Sequence, residues 1–544
     1  MRDDGAGPRS TRRTWLKGAA AASLLGACDP PSPGIPIDPR LFPPDGGPPG
    51  ADPPRPRTFD TFEHGVASGD PLADGVILWT RVTTGGPGHE PPERVTVRWE
   101  IAEDVAFDEV LASGEVTTDA VRDWTVKVDV RGLEAAHTYF YRFEALERGS
   151  PIGRTRTAPA GPVDRLRFAV TSCASLGHGY FHTYAAIAQR ADLDAVLHLG
   201  DYIYEYPSLV YGTRRELVPY HELLGVEHYR ARYAQYRREP PLAEAHRQHP
   251  WIVTWDDHES ANDAWRGGAE NHDAVNEGPW ENRLAASTRA FREWMPIRDD
   301  VDPRKIWRAL PYGDLCEIVV LDTRTWGRDE QVWTPGDPRL FDEGRELLGE
   351  DQEAWVIDRL ASSTARWKLV AQQVMLSPLE GIPNPDQWNG YPAARERLLR
   401  GIEATGVRDV VVLTGDIHSS WAMDLAPNPF DALAYDPRTG AGAVGVEIVT
   451  PAVSSPGLSS DFPVEAFKIN NPHLRWADLA SRGYVIVDLA ASRAQADWFF
   501  VGDVEDELDD ADGPAASFVT SSGVSRLSPA FSPAPPRPDA PPLA

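Results

Sequence analysis

The sequence predicts an α/β domain, built on a central sheet covered by helices, that follows a small all-β sandwich. Two patterns along the chain predict this architecture. Short runs of alternating apolar and polar residues, separated by Gly, Pro and Asp, come first and are typical of antiparallel strands. From about residue 164, longer apolar runs alternate with segments of helical spacing, which is typical of an α/β domain. The 544 residues are 41% hydrophobic, which is enough to bury both cores.

Residues 1–28 predict an export signal. Arg12 and Arg13 precede an apolar run that is too short to span a bilayer, within the segment RSTRRTWLKGAAAASLLGAC. This segment resembles a twin-arginine signal, so we expect the twin-arginine export machinery as a partner and a periplasmic or extracellular location. Because that machinery carries folded proteins, often with a cofactor already inserted, the signal also points toward a metal protein.

The end of the signal, LGAC, resembles the cleavage site of bacterial lipoproteins. In such a site Cys28 becomes the lipid-bearing first residue of the mature protein, and the lipid would be the only attachment to a membrane surface. The alternative is cleavage nearby with Cys28 incidental. Residues 29–57 are rich in Pro, Gly and Asp, and therefore predict a solvated tether between the anchor and the body of the protein.

Residues 58–159 predict the all-β sandwich. Its strand candidates are GVILWTRV, RVTVRWEIA, WTVKVDV and HTYFYRFEA, separated by turn residues at the spacing of an antiparallel sandwich. The last run, with Tyr139 and Tyr141, makes this domain similar to immunoglobulin and fibronectin type III modules. That similarity concerns the fold alone.

Residues 160–505 predict the α/β domain. Its strand candidates are LRFAVTSC, DAVLHLGD, PWIVTWDDH, CEIVVLDTR, WKLVAQQVML and DVVVLTGDIH. Its helix candidates are HTYAAIAQR, NRLAASTRAFREWM, EDQEAWVIDRLA and ARERLLRGIEAT. Ligands of open α/β sheets bind beyond the carboxyl ends of the strands, so the residues found there are the first candidates for a functional site.

Residues 506–544 predict an acidic and then Pro-rich tail. The acidic stretch DVEDELDDADG lacks the ordered spacing of a calcium loop, so we interpret it as solvated surface. The closing SPAFSPAPPRPDAPPLA has no periodic apolar pattern, and we expect it to be disordered. The alternative is a tail that folds over the active site.

Four of the six strand candidates of the α/β domain end in groups that bind metals. These groups are Cys173, Asp201 with Tyr204, residues 256–262, and Asp416 with His418. Each has a structural explanation on its own, because Gly-Asp after a strand is usually a turn and a single Cys is usually an inert buried thiol. The run WDDHE is stronger, since four adjacent ionisable groups repel one another unless solvent or cations compensate. Together the four groups predict a metal site.

The balance of charge excludes one class of partner. Lys and Arg number 54 while Asp and Glu number 82, which gives a formal net charge of −28. Such a surface disfavours non-specific binding to nucleic acid or to an anionic membrane, so we expect no stable nucleic-acid partner. A local metal site could still attract phosphate.

In its motifs the sequence resembles the PhoD-type alkaline phosphatases and phosphodiesterases, which are relatives of the purple acid phosphatases within the metallophosphoesterases. The resemblance extends from about Phe62 to Phe500. It is strongest in the segments HGVASGDPLADGVILWTR, SCAS, HLGDYIYEY, WDDHESANDAW, LDTRT and LTGDIHSSW. It implies a metallophosphoesterase-like central sheet in the α/β domain.

The resemblance also implies the metals and their ligands. Asp201 would bridge two metals, Tyr204 would bind Fe(III) as a phenolate, and Cys173 would bind the same iron as a thiolate. One or two Ca²⁺ would accompany the iron, as the oxygen-rich segments DDHESAN and GDIH suggest. The remaining ligands that we expect are Asp257, Asn262, Asp416 and His418. Asp256 or Glu259 could replace one of them.

The implied activity is hydrolysis of phosphate esters by an exported, metal-dependent alkaline phosphatase or phosphodiesterase. A metal-bound hydroxide, held by Asp201 and its neighbours, would attack phosphorus. His258 would contact or protonate the leaving group, so His258 and Asp201 are the predicted catalytic residues; the alternative for His258 is that it orients a carboxylate. Neither Ser175 nor Ser419 stands in a recognisable nucleophile arrangement.

Two other functions stay open at this stage. A phospholipase D-like phosphodiesterase would have the same motifs, because substrate choice depends on loops such as residues 206–236 and 326–349. A non-catalytic lipoprotein that binds a partner at the cell surface is the alternative from a different class. The presence of every inferred metal ligand disfavours that second alternative.

Overall fold

A computed structural model describes residues 60–85, 92–334, 336–381, 384–458 and 460–544. The predicted signal, 1–28, and the predicted tether, 29–57, lie outside the described residues. Among the described residues, no helix is both long enough and apolar enough to cross a membrane.

The described residues form 22 strands, seven α-helices and short 3₁₀ turns. The strands are β1 (Val66–Leu72), β2 (Gly75–Arg81), β3 (Val95–Ala102), β4 (Val110–Thr118), β5 (Thr125–Arg131), β6 (Thr138–Ala145), β7 (Arg148–Gly149), β8 (Gly153–Arg156), β9 (Arg165–Thr171), β10 (Ala195–His198), β11 (Pro250–Val253), β12 (Arg308–Tyr312), β13 (Cys316–Val320), β14 (Trp367–Ala371), β15 (Val410–Thr414), β16 (Ser420–Leu425), β17 (Gly445–Val449), β18 (Leu474–Asp478), β19 (Gly483–Ala490), β20 (Arg493–Val501), β21 (Asp512–Ser521) and β22 (Ser528–Pro529). The helices are α1 (His182–Ala188), α2 (Val226–Arg237), α3 (Pro240–Gln248), α4 (Trp280–Trp294), α5 (Glu350–Ser362), α6 (Pro392–Thr405) and α7 (Val464–Phe467).

Two large sheets pack face to face at the centre of the α/β domain, and the first of them also includes strands β1, β2 and β5 of the amino-terminal part. The first has ten strands in the order β22-β21-β20-β19-β9-β10-β11-β1-β2-β5, and the second has seven in the order β12-β13-β14-β15-β17-β16-β18. Phe168 and Leu197 from the first sheet pack against Ile318, Leu369 and Leu413 from the second. The predicted central sheet is therefore a pair of sheets, which explains why all six strand candidates are apolar on both faces.

Helices cover the outer faces of this pair of sheets. Tyr184 of α1 and Phe291 of α4 belong to the core that covers Trp251 of the ten-stranded sheet, and α5 and α6 cover the seven-stranded sheet. The predicted fold class is thus confirmed. The sequence pattern did not reveal α2, because its buried face is built from Tyr and Arg side chains rather than from an aliphatic stripe. The segment 206–236, which we expected to be a loop, therefore ends in a helix.

The amino-terminal part is all-β, as predicted. Strands β3, β4, β6, β7 and β8 form a five-stranded sheet, and its residues Val97, Ile101 and Tyr141 share a core with Val66 and Leu78 of the ten-stranded sheet. Strand β1 also pairs in parallel with β11. One layer of this sandwich is therefore part of the ten-stranded sheet. The predicted domain boundary at residue 159 is not tested by this arrangement and stays a prediction.

The expectation of a disordered tail is wrong. Strand β21 pairs with β20, and the chain beyond it is fixed by polar contacts. Arg167 Nη1 donates to the carbonyl of Pro535 at 2.8 Å, and the Arg537 amide donates to Asp192 at 3.0 Å. Arg167 is the third residue of β9 and Asp192 precedes β10, so the tail lies at the amino ends of these strands. The site predicted at their carboxyl ends is on the opposite edge.

Candidate metal centre

The predicted site residues meet where the carboxyl ends of four strands converge. Cys173 follows β9, Asp201 follows β10, Asp257 follows β11 and Asp416 follows β15. The first three strands belong to the ten-stranded sheet and the fourth to the seven-stranded sheet, so the site lies across the edge that the two sheets share. The side chains of all the predicted site residues are buried: Cys173, Asp201, Tyr204, Asp257, His258, Asn262, Asp416 and His418.

The chain turns sharply as it leaves each of these strands. Four site residues have a left-handed backbone, with φ of 61° at Cys173, 56° at Asp201, 64° at Asp416 and 53° at His418. Such a backbone is costly for residues other than Gly and is common at functional sites. Gly200 allows the closest approach, because a Cβ there would lie 2.4 Å from Cβ of Asp256.

One half of the site, the mixed-donor group, consists of Cys173, Asp201, Tyr204 and His418. A ligand atom from each of Cys173, Asp201 and His418 lies within 4.8 Å of the others. The Tyr204 hydroxyl donates to Asp201 Oδ2 at 2.9 Å and lies 3.1 Å from His418 Nε2. Since His418 Nδ1 is 3.0 Å from the carbonyl of Pro456, its Nε2 is the nitrogen left to face a metal.

Burial disfavours the charged forms of Cys173, Asp201 and Tyr204, and raises the pKa of each well above its ordinary value. The nearby Asp201 carboxylate raises the pKa of the Cys173 thiol and of the Tyr204 phenol further. A cation bound between them would reverse this effect, since it favours thiolate and phenolate.

The other half, the carboxylate basin, consists of Asp256, Asp257, Asp386 and Asp416. Oxygens of Asp256, Asp257 and Asp416 lie within 4.8 Å of one another. All four surround the fully buried guanidinium of Arg324, which lies 2.7 Å from Asp386 and 3.4 Å from Asp257 and also pairs with Asp256 and Asp416. The carboxylates and the arginine thus partly offset one another's charge.

Sequence reasoning missed Arg324 and Asp386. Arg324 stands in the motif LDTRT, which marked the family resemblance, but nothing in the spacing of that motif assigned it to the site. Asp386 lies in a loop between β14 and α6, far from the motif residues in sequence.

Glu259, one of the two alternative ligands, has a structural role in which it accepts hydrogen bonds from backbone amides. Its two carboxylate oxygens accept from the backbone amides of Asp201, Tyr202 and Asp256 at 2.5 to 3.0 Å. The side chain therefore holds the loops after β10 and β11 together, and these amides occupy the oxygens that a metal would need. Of the two alternatives, Asp256 is the one whose position suits a ligand.

His258 is held by a second buried carboxylate, Glu205. His258 Nδ1 donates to Glu205 Oε2 at 2.7 Å, and Glu205 also accepts from the Asn262 amide at 2.8 Å. Burial opposes a charge on His258, but the carboxylates of Glu205, Asp257 and Asp201 outweigh it and raise the pKa of His258 well above its ordinary value. Glu205 was not predicted, although it lies in the motif HLGDYIYEY.

The residues present fit the predicted metal ions. Three buried oxygens, Asp201 Oδ1, Asp256 Oδ2 and Asn262 Oδ1, have no hydrogen-bond partner among the described residues. A buried polar oxygen without a partner is costly, and a cation would satisfy all three. The thiol, phenol and imidazole of the mixed-donor group suit Fe(III), while the oxygen donors of the basin and of Asn262 suit Ca²⁺.

Comparisons with known proteins agree with this geometry. Residues 168–498 match the family model described as PhoD-like phosphatase, and residues 50–159 match the model of the PhoD-like phosphatase N-terminal domain. The chain is 37% identical to alkaline phosphatase D of Bacillus subtilis (strain 168) over 460 residues, which cover 80% of this chain and 77% of that protein. A solved structure of PhoD superimposes with a TM-score of 0.80 at 35% identity, over 88% of this chain and 94% of that one.

Proposed function

The chain belongs to the PhoD-like phosphatase family and is a phosphoric ester hydrolase, and we propose that it is a metal-dependent alkaline phosphatase or phosphodiesterase that acts after export. The observation that carries this proposal is the convergence of two buried donor groups on one strand edge, with three oxygens that lack a partner. The family assignment sets aside the non-catalytic alternative.

The two halves of the site would hold different metals. Cys173, Tyr204, Asp201 and His418 would hold Fe(III), while Asp257, Asn262 and Asp416, together with Asp201, would hold one or two Ca²⁺. When bound, these cations supply positive charge for the phosphate oxygens and lower the pKa of a water molecule toward neutrality.

Asp201 has the central position among these residues. Its carboxylate belongs to the cluster with Cys173 and His418 and also to the cluster with Asp257 and His258. It therefore links the mixed-donor group to the loop after β11. Its second oxygen, Oδ1, accepts no hydrogen bond from any residue that the structure describes. This is the arrangement expected of a bridging carboxylate that holds both parts of the site in register.

His258 would donate a proton to the leaving oxygen of the ester. Glu205 fixes the ring through Nδ1, which leaves Nε2 to face the site. The raised pKa of His258 keeps the imidazole protonated near neutral pH, so that it can stabilise the charge that develops on the leaving group. The residue thus acts in the transition state rather than only orienting a carboxylate.

We also propose export by the twin-arginine machinery and a lipid on Cys28. The support for both is the sequence of residues 1–28, with Arg12, Arg13 and the closing LGAC. Replacement of both arginines by Lys should keep the precursor in the cytoplasm, and Cys28→Ala should move the exported protein from the membrane fraction to the soluble fraction. An unchanged distribution of either variant would contradict the corresponding proposal.

Ester hydrolysis by the protein exported through its own signal tests the main proposal. The substrates would be p-nitrophenyl phosphate, bis-p-nitrophenyl phosphate and phosphatidylcholine, with and without a chelator and with added Ca²⁺. We expect hydrolysis of one or both nitrophenyl esters at alkaline pH and its loss with the chelator. Cleavage of phosphatidylcholine alone would favour the phospholipase D-like alternative, and activity that survives complete metal removal would refute metal dependence.

A further inference from the structure

Arg482 lies at the same strand edge as the metal centre. It immediately precedes β19, which runs antiparallel to β9 with Val485 opposite Val170. The start of β19 therefore lies beside the end of β9, where Cys173 follows. The Gly483 amide donates to the carbonyl of Ala452 at 3.0 Å, which fixes Arg482 at this edge.

The guanidinium of Arg482 does not use all of its N–H donors in hydrogen bonds within the described residues. One nitrogen, Nη1, donates to the carbonyl of Ala480, while Nε is buried and has no hydrogen-bond partner in the part of the chain that the structure describes. No carboxylate of the described residues forms an ion pair with it: nearby Asp478 accepts from the amides of Ala480 and Ser481, and Glu505 pairs with Arg214. Arg482 differs in this respect from Arg324, which contacts four carboxylates.

Its guanidinium lies beside the segment that contacts His418 of the mixed-donor group. A Cβ on Gly457 would lie 2.7 Å from Arg482 Nη1, and the carbonyl of the preceding Pro456 is the one that His418 Nδ1 contacts at 3.0 Å. Burial lowers the pKa of His178 to about 4, and the charge of Arg482 contributes to this shift. Burial also lowers the pKa of His418, and the charge of Arg482 contributes there too. Arg482 is therefore a cation close to two histidines, one of which belongs to the mixed-donor group.

The second residue of this region is His178, which contacts Ser175 and Tyr211. Its Nδ1 lies 2.9 Å from the Ser175 hydroxyl, and its ring packs edge-on against Tyr211, with ring centroids 4.5 Å apart. Tyr211 in turn stacks on Tyr204 at 5.2 Å. The other ring nitrogen of His178, Nε2, makes no hydrogen bond to a described residue, and the side chain is only partly buried.

We propose that Arg482 and His178 form a subsite for the non-bridging oxygens of the substrate phosphate, and that Arg482 sets the preference for phosphate monoesters over diesters. This inference rests on the proposed function. A planar guanidinium with free donors binds phosphate oxygens in pairs. A monoester carries two negative charges and a diester one, so a cation that is not engaged in an ion pair stabilises the monoester more strongly.

Three variants test the subsite. Arg482→Gln removes the charge, Arg482→Lys keeps the charge without the planar fork, and Arg438→Gln is the matched control, since Arg438 is exposed and pairs only with Asp436. We expect Arg482→Gln to lower kcat/KM for p-nitrophenyl phosphate roughly 10- to 100-fold and to lower it much less for the bis-ester. Arg482→Lys should fall between, and the control should match the wild type. Equal losses for both esters at unchanged metal content would overturn the proposal.

Binding of inorganic phosphate provides a readout that does not depend on turnover. Titration calorimetry with the metal-loaded protein should show phosphate affinity weakened about tenfold or more by Arg482→Gln, and less by His178→Ala. Unchanged affinity in both variants would refute the subsite. If the wild type hydrolyses neither ester, the proposed function fails, and the phosphate titration still decides whether the subsite exists.

Discussion

The two halves of the site balance their charge in different ways. The carboxylate basin contains its own cation, because Arg324 lies among its four acidic side chains. No Arg or Lys of the described chain donates to a side chain of the mixed-donor group, where the thiol and the phenol stay protonated instead. The basin therefore holds a built-in positive charge, whereas a metal ion bound by the thiol and the phenol of the mixed-donor group would have to displace their protons.

Removal of Arg324 should have the largest effect. Arg324→Leu leaves the buried carboxylates of Asp256, Asp257 and Asp416 without their cation, while Asp386 keeps its pair with Arg328. We therefore expect a loss of about 3–5 kcal/mol in the free energy of unfolding, or no soluble protein. Denaturant unfolding measures the loss. The control is Arg339→Leu, since Arg339 is exposed and its pair with Asp337 should contribute no more than about 1 kcal/mol. Equal stability of the two variants would show that the basin does not depend on its arginine.

His258 lies between the two halves, since it forms a cluster with Asp201 of the mixed-donor group and Asp257 of the basin. The Glu205 carboxylate favours the protonated form of His258. Glu205→Gln removes a carboxylate that raises the pKa of His258, so the imidazole would lose its proton at a lower pH. We expect kcat to fall roughly 10- to 100-fold for phenyl phosphate and less for p-nitrophenyl phosphate, whose leaving group needs no proton. Equal losses for both substrates would support the alternative in which His258 only orients a carboxylate.

The number of protons released on metal binding should distinguish the mixed-donor group from the carboxylate basin. Fe(III) must displace the protons of Cys173 and Tyr204, so we expect about two protons released per iron at pH 8. Ca²⁺ should release about one or fewer, because its proposed ligands include no thiol or phenol and the pKa of Asp416 is raised only to about 6.

Titration calorimetry of the metal-free protein, in buffers of different ionisation enthalpy, counts these protons. Ferric nitrilotriacetate and calcium chloride would be the two titrants. In Tyr204→Phe the iron titration should release about one proton fewer. Equal release with both metals in the wild type would contradict the distinction between the halves.

The smallest effect concerns the hydroxyl beside the predicted iron ligand. Ser455 Oγ donates to the Tyr204 hydroxyl at 2.7 Å, so Ser455→Ala should cost about 1 kcal/mol of stability and shift the visible band of an iron phenolate. Ser419→Ala is the matched control, because Ser419 is equally buried but bonds to the carbonyl of Ile417 and to Trp421. If the iron-phenolate band shifted in Ser419→Ala but not in Ser455→Ala, the hydrogen bond from Ser455 to Tyr204 would not affect the iron ligand, and this prediction would be wrong.

The sequence predicted the strand ends because their chemistry is local. An apolar run followed by Cys173, Asp201 or Asp416 is visible within a few residues, and the rule that ligands bind at the carboxyl ends of strands joins such runs. The contacts of Arg324 are not local, since Asp256 lies 68 residues and Asp416 92 residues away. No spacing in the chain reveals such a pairing.

Two features of the fold escaped prediction for similar physical reasons. Helix α2 buries Tyr229, Tyr233 and Arg232, so its buried face has no aliphatic stripe that the sequence pattern could reveal. The Pro-rich tail buries little apolar surface, and its order depends on contacts with distant side chains such as Arg167 and Asp192. Patterns of hydrophobicity cannot report contacts of this kind.

Iron analysis and the visible spectrum of wild type and Tyr204→Phe, both exported through their own signal, test the central claim most directly. Tyr206→Phe is the matched control, because Tyr206 is a neighbouring buried phenol whose hydroxyl has no hydrogen-bond partner among the described residues. We predict iron and a phenolate charge-transfer band in the wild type and in Tyr206→Phe, and the loss of both in a folded Tyr204→Phe. Full iron content with an unchanged band in Tyr204→Phe would contradict the assignment of the mixed-donor group as the iron site.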